Sequence, residues 1–171
     1  MSAPRIIGIV GHGDFGRFLE TLARRFAPDV SVRVFARRQA PDGARFFSLA
    51  DTCQCDVVII AVSIRAFADI LGQVLPLLKP GAILIDVNTV KAHPAKLLRE
   101  QAPGVRYVTT HPMFGPYSFE KQGGSLKSLR LVITDHTLAA DDMNDAIAWL
   151  KTLGLDVVTM TPDAHDRMLA E

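Results

Sequence analysis

Cysteine occurs only twice in these 171 residues, as Cys53 and Cys55, and no second pair exists to complete a four-ligand metal site. The opening MSAPRIIGIVG lacks the ordered regions of a secretory leader, so the two are read as reduced thiols beside a buried strand, and no metal is expected. Long hydrophobic runs are also missing. None approaches the ~18 apolar residues of a membrane-spanning helix. Neither sign of charge dominates. The 19 Lys and Arg against 18 Asp and Glu leave a net charge of +1, which gives no field to gather nucleic acid or an acidic membrane. Internal repeats and low-complexity linkers are absent. The length suits one full domain rather than two, and 49% hydrophobic with 22% charged residues is the composition of a globular chain, expected in the cytoplasm.

What is present is alternation. Short apolar runs predict strands at Ile6–Val10, Val30–Phe35, Val57–Val62, Ala82–Val87, Val105–Thr109, Leu129–Thr134 and Val157–Thr161. Runs such as DVVIIAV and AILIDV are apolar throughout, as in strands covered on both faces of a parallel sheet. Between them Phe15, Phe18, Leu19, Leu22 and Phe26 recur with helical period, as do Phe67, Ile70, Leu71, Val74 and Leu75 before Pro76. Further helices are expected over about Pro94–Gln101 and Asp141–Leu153. Such alternation implies an α/β fold: a Rossmann-type, doubly wound, mainly parallel sheet with helices on both faces. TPDAHDRMLAE then starts another helix, with Thr161 as N-cap and Pro162 first. The division expected is a nucleotide-binding domain over 1–160 and, over 161–171, the start of a linking helix cut before a second unit.

GIVGHGDFG places Gly11, Gly13 and Gly16 in the G-x-G-x-x-G spacing between a strand and an amphipathic helix. Gly11 permits the turn, Gly13 lets the backbone approach a pyrophosphate, and Gly16 lets helix and strand pack closely. The free N–H groups at the helix start face the phosphates. His12, Asp14 and Phe15 line the same loop. About twenty residues past Gly16, where an NAD enzyme carries an acidic residue for the ribose, stand Arg37 and Arg38 without a carboxylate. Guanidinium groups grip a 2′-phosphate, so NADP is expected over NAD.

Ligands in such sheets collect at the carboxyl ends of the strands. Ser63 and Arg65, then Asn88, Thr89 and Lys91, then His111 follow successive strands and are expected on the side of the glycine loop. His111 can take or share a hydroxyl proton as a hydride leaves; alternatively it is a structural histidine bonded to a carbonyl. Pro112, Gly115 and Pro116 would stiffen the loop carrying it, and Met113 and Phe114 can wall a nicotinamide. Asp86 also reads as a strand-end cap and Lys91 as a helix-start residue.

GIVGHGDFG, DVNTVK, HPMFGP and HDRMLAE, in this order, resemble the nucleotide domain of the prephenate/arogenate dehydrogenase family over essentially the whole chain. The resemblance implies an NADP-dependent oxidative decarboxylation of arogenate or prephenate in tyrosine biosynthesis. It makes His111 catalytic and gives Thr89 the place of the family's serine, with its hydroxyl kept and a methyl added. The family's H-D pair falls on His165 and Asp166. A helical substrate domain that forms a homodimer is implied after Glu171, so the chain alone is expected to bind NADP but turn over poorly. Two other readings stay open: another Rossmann dehydrogenase or reductase of a small hydroxy acid or imine, and a non-catalytic nucleotide-sensing module.

Overall fold

A computed structural model describes residues 6–170; residues 1–5 and Glu171, the outer ends of the two expected segments, lie outside the described residues. All seven expected strands form: β1 Ile6–Val10, β2 Ser31–Phe35, β3 Val57–Ile60, β4 Ile83–Asp86, β5 Arg106–Pro112, β6 Arg130–His136 and β7 Asp156–Thr159. They make one sheet in the order β2-β1-β3-β4-β5-β6-β7. Every pair is parallel except β5–β6. The chain leaves β1 toward β2 and crosses back to β3, which makes the β1/β3 boundary the switch point where a crevice opens.

The helices are α1 Asp14–Phe26, α2 Leu49–Cys53, α3 Ile64–Val74, α4 Ala92–Gln101, α5 Pro116–Lys121, α6 Ala140–Thr152 and α7 Pro162–Ala170. On α3, Phe67, Leu71 and Val74 are fully buried against the sheet. Each such side chain contributes about 1.5–3 kcal/mol, which outweighs the ~1 kcal/mol cost of Gly72 within the helix. The stripe predicted for α1 divides between two cores. Phe15, Phe18, Leu22 and Phe26 pack with Phe119 of α5, whereas Leu19 packs with Ile9, Val32 and Val34 of the sheet. Cys53 and Cys55 are free and fully buried, and burial pushes both thiols up to about 11, which keeps them protonated and inert. No helix among the described residues is long and apolar enough to cross a membrane.

Between β5 and β6 the chain forms the short helix α5, and β6 then re-enters the sheet beside β5 in the antiparallel direction. Gly115 N–H donates to Ser118 Oγ at 3.0 Å, and Pro116 starts the helix, so the residues after His111 turn at once into α5. His111 and Pro112 belong to β5 itself, which corrects the expectation that a loop carries His111. A register shift in the β5–β6 ladder falls between Thr109 and Thr110, beside that histidine.

Candidate active site

One row of the parallel sheet aligns Val10, Ile60, Asp86 and Thr109. Gly11, Ala61 and Val87, which follow the first three, therefore leave the sheet along one edge, and β5 runs on beside them through Thr110 and His111 to Pro112. A cleft of about 480 Å³ opens there, lined among others by Gly13, Asp14, Ser63, Asn88, Thr89 and His111. Phe15 and Phe114 also face it. Met113 is 39% exposed and does not line it, so of the two expected wall residues only Phe114 serves.

The glycine loop is shaped for a dinucleotide. Gly11 holds φ +109°, and a Cβ on it would sit 2.4 Å from the carbonyl of Ala61. A Cβ on Gly16 would come within 2.2 Å of the Gly11 carbonyl, whereas one on Gly13 meets nothing within 4 Å. Gly11 and Gly16 thus bring β1 and α1 together, and Gly13 keeps open the ground a pyrophosphate would use. Gly16→Ala should lose about 1–3 kcal/mol of stability by overpacking. Gly13→Ala should keep its melting temperature and lose nucleotide affinity, a contrast read by thermal denaturation beside calorimetric titration.

His12 lies in the loop but turns away from the cleft. Its Nε2 is 3.1 Å from Glu20 Oε2, and its ring stands edge-on to Phe46. Buried Glu20 also accepts hydrogen bonds from Arg24 and Arg45 at 2.9–3.2 Å. Burial alone would raise the Glu20 carboxyl; the hydrogen bonds from Arg45, His12 and Arg24 outweigh it and hold it at about 2. Arg24 and Arg45 are therefore committed to the fold. Asp14 pairs at 2.6 Å with Arg17 on the exposed face of α1. Arg37 and Arg38 are exposed in the turn after β2, closed by Gln39 N–H to the Ala36 carbonyl, and neither has an ion pair or hydrogen bond among the described residues. The next carboxylate along, Asp42, accepts the N–H groups of Ala44, Arg45 and Phe46 with one oxygen.

The floor of the cleft is polar and fully paired. Lys91 Nζ forms an ion pair with Asp86, both side chains at most 1% exposed, and donates to the Thr110 carbonyl at 2.6 Å. Asp86 Oδ1 accepts from the backbone N–H of Asn88 at 3.0 Å and its side-chain amide at 2.7 Å. Thr110 Oγ1 donates to the Asp86 carbonyl at 2.8 Å. Asp86 and Lys91 therefore tie the turn bearing Thr89 to the strand bearing His111, which is more than the cap and helix-start roles their positions suggest. Burial pushes the Asp86 carboxyl up and the Lys91 ammonium down, and their mutual attraction opposes both shifts. Ser63 and Thr89 are exposed, and neither hydroxyl has a hydrogen bond among the described residues, which leaves both available to a ligand.

Behind His111 stands a chain of three side chains. His111 Nδ1 is 2.9 Å from His165 Nε2, and His165 Nδ1 is 2.8 Å from Asp166 Oδ1. Asp166 also caps α4, accepting Lys91 N–H and Ala92 N–H at 2.8 Å each. Thr161 Oγ1 accepts from Ala164 N–H at 3.2 Å, so α7 begins as its sequence signals, and it packs on α4 and β6 with His165 fully buried. Burial is the main cause that lowers His111 to about 4, with the nearby Lys91 adding to it and Asp166 opposing it. At neutral pH this histidine is uncharged and able to accept a proton. Among the described residues no three His, Cys, Asp or Glu side chains gather as metal ligands would.

A switch-point cleft, a glycine cradle and an uncharged histidine at its edge define a Rossmann-type nucleotide-binding domain of the dehydrogenase kind. Residues 33–159 match the sequence model of the prephenate dehydrogenase nucleotide-binding domain, and the chain belongs to that family. The matched stretch includes His111 and Thr89, while Gly11–Gly16 and His165–Asp166 fall outside it and stand on their own geometry. The chain is 32% identical over 184 residues to the chloroplastic arogenate dehydrogenase 1 of Arabidopsis thaliana, covering 98% of itself and 28% of that protein. It is 26% identical over 188 residues to the cyclohexadienyl dehydrogenase of Zymomonas mobilis, covering 99% of itself and 63% of that protein. The chain spans between 25% and 63% of the curated relatives it matches. Among solved structures, Synechocystis arogenate dehydrogenase superposes with a TM-score of 0.78 at 22% identity, covering 96% of this chain and 63% of that one. Prephenate dehydrogenase from Aquifex aeolicus, in complex with hydroxyphenyl propionate and NAD⁺, does so at 0.76 and 20%, covering 99% and 64%. At such identities the likeness is one of fold.

Proposed function

We propose that this chain is the cofactor-binding part of an NADP-dependent dehydrogenase that oxidatively decarboxylates prephenate or arogenate. A helical domain of the longer protein would complete the substrate site and the dimer. The observation that carries the reading is the meeting of Thr89 and uncharged His111 in the cleft that the glycine cradle opens. Gly11, Gly13 and Gly16 would hold the pyrophosphate, with Ser63 and Asn88 along the crevice. Arg37 and Arg38, the uncommitted guanidinium groups beside the β2 end, would take a 2′-phosphate.

The nucleotide, when bound, supplies the hydride acceptor. His111 would accept a hydrogen bond from the hydroxyl on the ring carbon that gives up the hydride. As that oxygen gains positive character, its proton is shared with the imidazole. Loss of the carboxylate as CO₂ returns an electron pair to the ring, which becomes aromatic and keeps the hydroxyl as a phenol. Thr89 would orient the same hydroxyl, and Phe114 keeps water from one side.

The reading is tested by titrating the protein with NADP⁺ and NAD⁺ in the same buffer and following turnover of each substrate by cofactor absorbance. NADP⁺ should bind more tightly, and replacing Arg37 and Arg38 together with alanine should weaken it by about 10–100-fold, leaving NAD⁺ affinity unchanged. Equal affinity for both nucleotides overturns the NADP assignment. Tight nucleotide binding without turnover of either substrate by the full-length protein would favour a nucleotide sensor instead.

A further inference from the structure

We infer that His165 is a positioning residue that holds His111 in the tautomer with its proton on Nδ1, leaving Nε2 as the acceptor in the cleft. The inference rests on the function proposed above for its consequence, but on hydrogen-bond accounting for its content. Asp166 is the fixed end of the chain. Burial would raise its carboxyl, but the Ala92 N–H, His165 and the Lys91 N–H outweigh burial and hold it below the usual range, so it is an acceptor only. His165 Nδ1, at 2.8 Å, must therefore carry a hydrogen and donate it. In a neutral ring that leaves Nε2 as a lone pair, and its partner at 2.9 Å, His111 Nδ1, must be the donor. An imidazolium at His165 would instead place a charge without solvent contact beside an Asp166 whose oxygens already accept the Lys91 and Ala92 N–H groups, and would force the His111 proton out toward the substrate.

His111 Nε2 has no hydrogen bond among the described residues, and no buried side-chain nitrogen or oxygen there lacks a partner. That nitrogen therefore opens to the cleft His111 lines. The groups facing the His111 ring are His165 and Asp166 from α7 and Lys91 ahead of α4. Of these, only His165 bonds the ring. A base with its proton on the wrong nitrogen cannot accept from a hydroxyl, so an unoriented imidazole would forfeit much of its effect. The structure thus divides the labour: His111 meets the substrate, His165 sets its tautomer, and Asp166 orients His165 while capping α4.

The test is ring ¹⁵N spectroscopy of the full-length protein labelled at histidine, at neutral pH, with His111 assigned by its absence in His111→Asn. The wild type should show His111 protonated at Nδ1 and bare at Nε2. His165→Met removes the acceptor and should move the His111 proton largely to Nε2. His165→Gln, whose amide oxygen can still accept, should restore the wild-type pattern and shows that the fold tolerates change at 165. In steady-state assays His165→Met should lower kcat by about 10²-fold with little change in KM, and His165→Gln should recover most of it. A wild-type His111 protonated at Nε2, a doubly protonated His165, or a His111 pattern indifferent to His165→Met would each overturn the inference. The spectra need no substrate, so absent wild-type turnover would count against the proposed reaction and leave the tautomer result standing.

Discussion

Lys91→Met is expected to cost about 3–5 kcal/mol of folding stability and roughly 10 °C of melting temperature, the largest structural effect of any single change at the site. The reason is not the strength of the Asp86–Lys91 pair itself. Both groups are out of contact with water, so their attraction is spent largely on offsetting desolvation. Removing only the ammonium leaves a carboxyl that must be buried charged or take up a proton, and it also strips the Thr110 carbonyl of a donor. The double variant Lys91→Met with Asp86→Asn separates these contributions. An amide oxygen at 86 can still accept both bonds from Asn88 without a charge, so the double variant should be more stable than Lys91→Met alone. Urea unfolding of the three proteins decides the matter. A single variant within about 1 kcal/mol of the parent would show that water reaches the pair.

That pair marks the boundary of what the sequence makes legible. The inner strands β3 and β4 are readable because their apolar runs must be covered on both faces, and the edge strand β2 because its apolar residues alternate, demands written locally in each run. The glycine loop is equally readable, since its spacing states a backbone requirement. His111 stands out through its HPMFGP context, and the register row from Val10 to Thr109 explains why it reaches the same edge as Gly13. The direction of β6 is different, because it is decided by where the chain re-enters the sheet after α5, and PYSFEK carries no strong helical period. Asp86 and Lys91 each have an adequate local explanation, as cap and helix start. Only the parallel pairing of β4 with β5 brings the Thr110 carbonyl to the ammonium and reveals one network. His12 illustrates the converse. Its place in the loop suggests a ligand contact, yet Glu20, eight residues on, claims its ring. His165, 54 residues beyond His111, meets it because α7 folds back on α4, which no spacing announces and only the H-D resemblance could have flagged.

His111→Asn should lower kcat by about 10²–10⁴-fold in the full-length protein while leaving nucleotide affinity unchanged, the largest catalytic effect expected of any residue here. The same variant also reports on pH. In the unfolded chain the imidazole titrates near 6.5, and in the fold burial, with Lys91 nearby, lowers it to about 4. Between those values the unfolded state binds a proton that the native state refuses, so native stability falls as pH drops from about 6.5 to 4 and is fully present above that window. Asparagine cannot titrate, so His111→Asn should lose less stability than the parent across that interval. Glu20, held at about 2 in the fold, contributes its own loss only at lower pH, between about 4.5 and 2, so the two effects separate along a single acid titration. If parent and variant lose stability in parallel from pH 6.5 to 4, His111 is not held neutral by the fold. A variant that keeps turnover within about tenfold of the parent would remove it from the chemistry altogether, whatever its pH behaviour.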